Sequence, residues 1–123
     1  MSKFYYDSYA IIEFLKGNVK FQSYFIKFEG ITSFYNILEV YYSILKEEGE
    51  FKANQVLELI SPLVMPPKFD DVEPSMKFRL KHKKKKFSYT DCLGYTMAKR
   101  ENLKFLTGDE GFKQLPNVEF VKA

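Results

Sequence analysis

The sequence predicts an α/β fold with a mostly parallel central sheet flanked by helices. Short apolar runs at 3–6 and 103–107 are typical of buried strands, whereas 36–49 and 88–102 place apolar residues at helical spacing. Strands that alternate with helices form parallel sheets covered on both faces. In such sheets the ligand site lies beyond the carboxyl ends of the strands.

The first half of the chain shows this alternation in order. Aromatic residues at 3–6 favour a strand, and the segment 7–17 then spaces its apolar residues as a helix that stops at its last residue, a glycine. A second strand is predicted at 29–34, and 36–49 follows with its apolar residues on one helical face. The aromatic segment 21–28 is expected to expose its apolar side chains and to pack against a second copy or a partner chain.

The second half continues the pattern. We predict a helix at 52–60, a short strand at 63–65, helices at 72–84 and 88–102, and strands at 103–107 and 118–122. The proline-rich stretch at 61–67 is too short to separate two domains, so residues 1–123 are expected to form a single domain.

Composition excludes several classes of protein. With 46% hydrophobic residues the chain is not disordered, and it has no apolar run long enough to cross a membrane and no secretory signal. Cys92, the only cysteine, cannot form an internal disulfide and is expected to be a small buried hydrophobe in a cytoplasmic protein. Because His82 is the only histidine, a ribonuclease mechanism that needs two imidazoles is excluded.

Four acidic residues occupy positions where strands end or helices begin. Asp7 follows the first predicted strand, and Asp109 follows the last long one after a glycine that is expected to turn the backbone. Glu39 and Asp91 lie in the first turns of helices. Converging carboxylates repel one another unless a divalent cation neutralises them, and oxygen ligands suit Mg²⁺ or Mn²⁺. Such ions can stabilise both the attacking water and the leaving oxygen of a phosphodiester, which points to a nuclease.

The same acids also fit a purely structural role. Residues 36–39, 88–91 and 107–110 match or approach the spacing of a helix capping box, in which Glu110 would be the acidic member of the third. Asp7 can cap the first helix. Residue types and spacing alone therefore leave both metal ligands and helix caps open.

The order of these motifs resembles the PIN-domain endoribonucleases of the VapC toxin type. "FYYDSYAIIEFL" is similar to the opening Asp motif, "ITSFYNILEVYY" to the Glu motif, "FSYTDCLGYTMAKRENLKFLTGDEGF" to the paired-Asp motif, and "LPNVEFV" to the closing strand. The likeness covers nearly the whole chain. It implies a PIN-like three-layer fold whose mostly parallel sheet is flanked by helices.

The resemblance also assigns roles to residues of this chain. It implies metal binding by Asp7, Glu39, Asp91 and Asp109, with one or two Mg²⁺ or Mn²⁺ ions. Small hydroxyl residues beside the metal acids correspond to Ser8 and Thr107, and Glu110 is an alternative ligand. Tyr9 departs from the family pattern, because many relatives carry a small polar residue at that position.

The function implied is metal-dependent cleavage of RNA by the toxin of a toxin-antitoxin pair. The resemblance further implies a homodimer and a cognate antitoxin whose C-terminal segment occupies the active-site groove. The alternative is a non-catalytic PIN-fold module that binds RNA or protein and keeps its acids as helix caps. Tyrosines at positions 5, 6, 9, 41, 42, 89 and 95 either stack on bases or belong to the core.

A basic run lies close to the second acidic helix. The segment 77–86 carries seven Lys or Arg residues, although the net charge of the whole chain is only +3. We expect RNA to be bound by a subset of them: Lys81, Lys83, Lys84, Lys85 and Lys86. A solvated loop at the negative end of the preceding helix is the alternative.

Overall fold

The computed structural model describes residues 2–123, in which four strands alternate with six α-helices. The strands are β1 (Ser2–Tyr6), β2 (Glu29–Ile31), β3 (Lys104–Thr107) and β4 (Val118–Phe120). The helices are α1 (Ser8–Leu15), α2 (Val19–Ile26), α3 (Phe34–Glu48), α4 (Glu50–Ile60), α5 (Val72–Lys81) and α6 (Tyr89–Arg100). None of these helices is long and apolar enough to span a bilayer.

All four strands are parallel, in the order β2-β1-β3-β4. The two central strands, β1 and β3, pair with Tyr5 opposite Phe105 and Tyr6 opposite Leu106. Their carboxyl ends therefore lie side by side at one edge of the sheet. The predicted parallel α/β architecture is confirmed.

Helices cover both faces of the sheet, which makes three layers. Phe4, Tyr6 and Leu106 pack into one core with residues of α1 to α4. Tyr5 and Phe105 point to the other face, where they pack with residues of α6 and with partly buried Phe78 of α5 in a second core. This division follows from the two-residue period of a strand, which sends successive side chains to opposite faces. Cys92 is fully buried in the second core, as predicted.

Two predicted strands differ from those in the structure. The predicted strand at 63–65 is wrong, because Ser61–Leu63 forms a 3₁₀ turn and only Val64 makes a single bridge, to Thr32. Proline residues on both sides of this segment lack the N–H that a strand needs. The strand at 29–34 ends early, because the Ser33 side chain caps α3 by accepting the Asn36 N–H.

Two more elements end earlier than predicted. The helix at 72–84 stops at Lys81, and a 3₁₀ turn follows at Lys83–Lys85. Extending the helix would stack like charges one turn apart, which is unfavourable. The last strand ends at Phe120 instead of residue 122.

The aromatic segment 21–28 exposes only part of its apolar surface, as Ile26 and Phe28 are 71% and 39% exposed while other side chains of the segment pack inside the chain. Phe21 is fully buried, and Phe25 stacks on Tyr6 with ring centroids 4.0 Å apart. Tyr24 meets Phe4 edge to face at 5.2 Å. Further exposed apolar side chains lie on α3, among them Phe34, Leu38 and Tyr42.

Candidate functional site

One pocket at the carboxyl edge of the sheet contains all four predicted acids. Its volume is about 380 Å³, and its lining residues are Asp7, Ser8, Tyr9, Glu39, Asp91, Gly108, Asp109, Glu110 and Lys122. Asp7 directly follows β1 and Asp109 lies just beyond β3, so the pairing of these two strands brings them together. The placement that the topology predicted is therefore observed.

Asp7 is the most buried member of the cluster. Its carboxylate caps α1 by accepting the Ser8 N–H at 2.9 Å, and its other oxygen accepts the Thr107 hydroxyl at 2.7 Å. Burial raises the pKa of Asp7 to about 7, and the charges of Asp91 and Glu39 act in the same direction. A negative charge at this position is therefore costly unless a cation compensates it.

Thr107 connects Asp7 to Asp109. While its hydroxyl donates to Asp7, its oxygen accepts the Asp109 N–H at 3.1 Å. Asp109 in turn caps the 3₁₀ turn Glu110–Phe112 by accepting the Gly111 N–H at 2.9 Å. A single hydroxyl thus fixes the relative positions of two acids from different strands.

Gly108 is needed for close packing. The chain leaves β3 at this point, but Gly108 does not adopt the positive φ that would itself require glycine. A Cβ at this position would lie 2.2 Å from the Tyr9 ring and 2.5 Å from the Val121 carbonyl oxygen. The absent side chain lets α1 and the segment after β4 approach the acid pocket.

Glu39 is held by a polar network that the sequence did not reveal. The Ser8 hydroxyl donates to Glu39 at 2.5 Å and accepts from the Asn36 amide at 2.9 Å. Asn36 is buried and also receives the Tyr5 hydroxyl at 2.5 Å. Its signal in the sequence was a polar residue on the core face of α3, about one turn before Glu39. Partial desolvation, followed by the charge of Asp91, raises the pKa of Glu39.

Asp91 combines both roles that the sequence left open. It completes a capping box with Ser88, accepting the Ser88 N–H at 2.9 Å, and it also lines the pocket. Desolvation raises the pKa of Asp91, and the charge of Asp109 adds to the effect. The four acids therefore form an electrostatically connected group in which a proton or a cation relieves repulsion.

The capping predictions have mixed outcomes. Asp7 is an N-cap and residues 88–91 form a box, as predicted. The box predicted at 36–39 is wrong, because Ser33 caps α3. The capping role of Glu110 is also wrong, because Asp109 caps the following turn and Glu110 pairs with Lys122 at 3.6 Å.

The donor set suits a hard divalent cation, but its side chains are spread out. Within residues 2–123, no three Asp, Glu, His or Cys side chains stand close enough together to hold a metal ion. Both oxygens of Asp7 accept hydrogen bonds from the protein. Glu39, Asp91 and Asp109 each turn one oxygen to a protein donor, and their second oxygens accept no hydrogen bond from the described residues. Carboxylate oxygens are the ligands that Mg²⁺ and Mn²⁺ prefer, so the residues present fit such an ion.

Two lysines approach the Asp109 turn. The Lys85 ammonium donates to the Gly111 carbonyl at 3.0 Å, which places one member of the predicted basic run beside the acids. The other four, Lys81, Lys83, Lys84 and Lys86, are exposed. Lys122 also lines the pocket, and its place there could not be predicted because a lone lysine after the last strand belongs to no sequence pattern.

The tyrosines divide between the core and the surface. Tyr5, Tyr6 and Tyr95 are buried in the cores, which favours the structural interpretation for them. Tyr89 is 66% exposed on the turn that carries Asp91, and the Arg79 guanidinium lies 4.4 Å from its ring centre. Tyr89 is thus an exposed aromatic that lines a separate apolar pocket with Tyr35 and Met76 and does not line the acid pocket.

Comparison with known proteins identifies the family and the fold. The PIN domain family profile matches residues 4–118. No curated protein matches the chain.

Three solved structures share the fold over nearly the full length of both chains. A DNA-bound VapBC complex from Salmonella typhimurium has a TM-score of 0.77 at 18% identity, covering 99% of this chain and 98% of that one. A toxin-antitoxin complex from Klebsiella pneumoniae has a TM-score of 0.76 at 17% identity, with 97% and 98% covered. VapC20 from Mycobacterium tuberculosis, named a sarcin-ricin loop cleaving toxin, has a TM-score of 0.74 at 14% identity, with 98% of each chain covered. The chain therefore belongs to the PIN domain family, and it has the three-layer fold of the VapC toxins that it resembles.

Proposed function

We propose that this chain, acting as one PIN-like domain, is a metal-dependent endoribonuclease and the toxin of a toxin-antitoxin pair. The observation that carries the proposal is the pocket that gathers Asp7, Glu39, Asp91 and Asp109 at the edge where β1 and β3 end. The likeness to toxin-antitoxin complexes and to a toxin named for RNA cleavage supports it.

The four acids would hold one or two Mg²⁺ or Mn²⁺ ions. When bound, such ions supply water activation and charge neutralisation at a phosphodiester. The position of the Asp7 carboxylate is fixed, because one of its oxygens accepts the Ser8 N–H and the other accepts the Thr107 hydroxyl. Ser8 orients Glu39, and the oxygens of Asp91 and Asp109 that accept no hydrogen bond are available to the ion.

The partners follow from the same proposal. RNA would meet the acid edge beside Lys85, and a cognate antitoxin would occupy the groove. A homodimer would cover the exposed apolar side chains of α3, since apolar surface of this kind favours association. A toxin with this function acts in the cytoplasm, where its RNA substrate is found.

The proposal is tested by incubating the purified chain with total RNA in Mg²⁺, in Mn²⁺, in Ca²⁺ and with a chelator. We expect discrete cleavage products in Mg²⁺ or Mn²⁺ and none with the chelator. Cleavage that persists in the chelator would remove the metal from the mechanism.

The second candidate function is a non-catalytic PIN-fold module that binds RNA or protein. Two observations favour it: three of the acids serve as helix or turn caps, and the described acids do not close around an ion as they stand. Intact RNA under every metal condition, together with specific binding, would favour this candidate.

Replacing Thr107 with valine should reduce Mn²⁺ affinity or cleavage about 10- to 100-fold, the usual cost of losing a group that orients a metal ligand. The change keeps the shape of the side chain but removes the hydroxyl that joins Asp7 to the Asp109 N–H. Calorimetric titration with Mn²⁺ and initial rates provide the measurement. Thr32→Val is the control, because its buried hydroxyl donates to the Tyr6 carbonyl and not to an acid. Equal effects of the two changes would reduce Thr107 to a structural role.

Replacing residues 83–86, all lysines, with glutamine should weaken binding to all RNAs similarly. Lysine contacts to phosphates act through counterion release, with a slope of about 0.7 per contact on single strands in a plot of log affinity against log salt. RNA binding in Ca²⁺ across a salt series should therefore show a flatter slope, with Mn²⁺ affinity unchanged. Lys46 and Lys52, exposed on α3 and α4, serve as control substitutions. A slope that matches wild type would mean that the run is only a solvated surface.

A further inference from the structure

We propose that Lys122 contacts the RNA phosphate at the acid pocket and that Tyr9 positions it there. The inference rests on the proposed nuclease function and adds a specific cation to it. The observation behind it is the position of segment 121–123, which is hydrogen-bonded to Thr107 and Tyr9 and lies against the acid pocket.

Lys122 is the one lysine among the residues that line the acid pocket. Its ammonium lies 3.6 Å from Glu110, which is the neighbour of Asp109. More than half of each side chain in this pair is exposed to solvent, at 55% for Lys122 and 59% for Glu110. Exposed ion pairs of this kind contribute little to stability, so the ammonium can leave Glu110 for a phosphate at small cost.

Three hydrogen bonds hold the backbone around Lys122, although its side chain is exposed. The Val121 N–H donates to the Thr107 carbonyl at 2.9 Å, which extends the β3 pairing past the end of β4. The Lys20 ammonium donates to the Lys122 carbonyl at 3.2 Å. The Ala123 N–H donates to the Tyr9 hydroxyl at 3.1 Å. An ammonium on an anchored backbone loses less conformational freedom on binding than one on a free tail.

Tyr9 brings the segment and the pocket together. Its ring covers Gly108, where a Cβ would meet both the ring and the Val121 carbonyl oxygen. The tyrosine therefore contacts the residue before Asp109 through its ring and the segment 121–123 through its hydroxyl. This double contact explains why a large aromatic residue is accommodated beside Asp7.

The charges around the Asp109 turn match an RNA backbone. Four carboxylates repel a phosphate, and cations beside them offset that repulsion. Lys85 contacts the turn at Gly111 and Lys122 contacts it at Glu110. The two ammonium groups thus mark two contact points on the turn that carries Asp109, and a phosphate at the pocket can be met by Lys122.

The experiment measures binding of a 5′-labelled RNA pool of random sequence in Ca²⁺ across a salt series. Lys122→Gln should lower the slope by about 0.7, the value for one phosphate contact on a single strand, and Lys122→Arg should restore it. Tyr9→Phe should also lower the affinity for RNA, because the Ala123 N–H loses its acceptor and the segment that carries Lys122 is held less firmly. Lys104→Gln, at the opposite end of β3, is the matched control and should leave the slope unchanged.

The double variant Lys122→Gln/Glu110→Gln separates a phosphate contact from a local ion pair. If Lys122 serves only to neutralise Glu110, removing both charges together should restore wild-type RNA binding. The proposal instead predicts that the double variant keeps the lowered slope of Lys122→Gln, because the ammonium that contacts the phosphate is absent. A wild-type slope in Lys122→Gln or in the double variant overturns the inference. If the wild-type chain cleaves RNA in Mn²⁺ but Lys122→Gln shows the wild-type salt dependence of RNA binding, only the inference about Lys122 is wrong. If the wild-type chain does not cleave RNA, the nuclease proposal is wrong, and the inference that rests on it is wrong as well.

Discussion

Asp7→Asn and Asp91→Asn are each expected to abolish metal-dependent RNA cleavage while the chain stays folded. Each change removes one negative charge from the pocket that we propose holds the ion. Because a bound metal supplies several kcal/mol of charge stabilisation and each 1.36 kcal/mol is tenfold in rate, a loss of roughly 10³-fold or more is expected. Initial rates in Mn²⁺ measure this loss.

The asparagine substitutions also separate the metal role from the capping role. Asparagine caps helices about as well as aspartate, so α1 should keep its N-cap, and the Ser88 cap of α6 is unchanged in both variants. Thermal melts in a chelator should show no large loss of stability for either variant. Asp70→Asn, an exposed acid outside the pocket, is the control for both assays. Wild-type cleavage with strongly lowered melting temperatures would identify the acids as structural caps.

The metal-free protein should lose stability as the pH rises from about 4 to about 7. The pKa of Asp7 is about 7 in the folded chain and near 3.8 when unfolded, so between these values the folded state binds more protons. The stability from this group is fully present below the unfolded pKa and is lost as the pH rises through the folded pKa. Raised pKa values of Glu39 and Asp91 act in the same direction. The loss should be on the order of a few kcal/mol.

Urea denaturation in a chelator at a series of pH values measures this dependence. In Asp7→Asn the free energy of unfolding should vary less with pH over the same range, because the strongest contributor is gone. Saturating Mn²⁺ should reverse the trend in wild type, since deprotonated ligands bind metal better. If the free energy of unfolding of the metal-free wild type does not change with pH, the pKa of Asp7 is not raised in the folded chain.

The positions of the main elements and of the acids could be predicted from the sequence because both depend on local patterns. Strand and helix periodicity gave the parallel sheet, and the carboxyl-end rule for such sheets brought Asp7 and Asp109 together. The prediction of a strand at 63–65 was wrong, because three apolar residues are too few to show a period and the flanking prolines have no backbone N–H to donate. Early ends of β2 and α5 came from a cap at Ser33 and from crowded lysine charges.

The supporting contacts of the site could not be predicted, because they join residues far apart in the chain. Asn36 reaches Tyr5 and Ser8, which lie on other elements, and no spacing in the sequence links the three. Lys122 reaches the pocket only because the segment after β4 continues along β3. Gly108 was noticed, but its reason is the nearby Tyr9 ring and not its own backbone conformation.

Calorimetric titration of Mn²⁺ into the chelator-stripped wild-type chain, with Asp7→Asn measured in parallel, tests the shared metal site most directly. Asp7 is the residue to change, because it is the buried acid on which the charges of Asp91 and Glu39 act. We expect saturable binding of one or two ions per wild-type chain and a large loss of affinity in Asp7→Asn. Absence of binding to the wild-type chain, or equal binding to both proteins, would contradict this expectation.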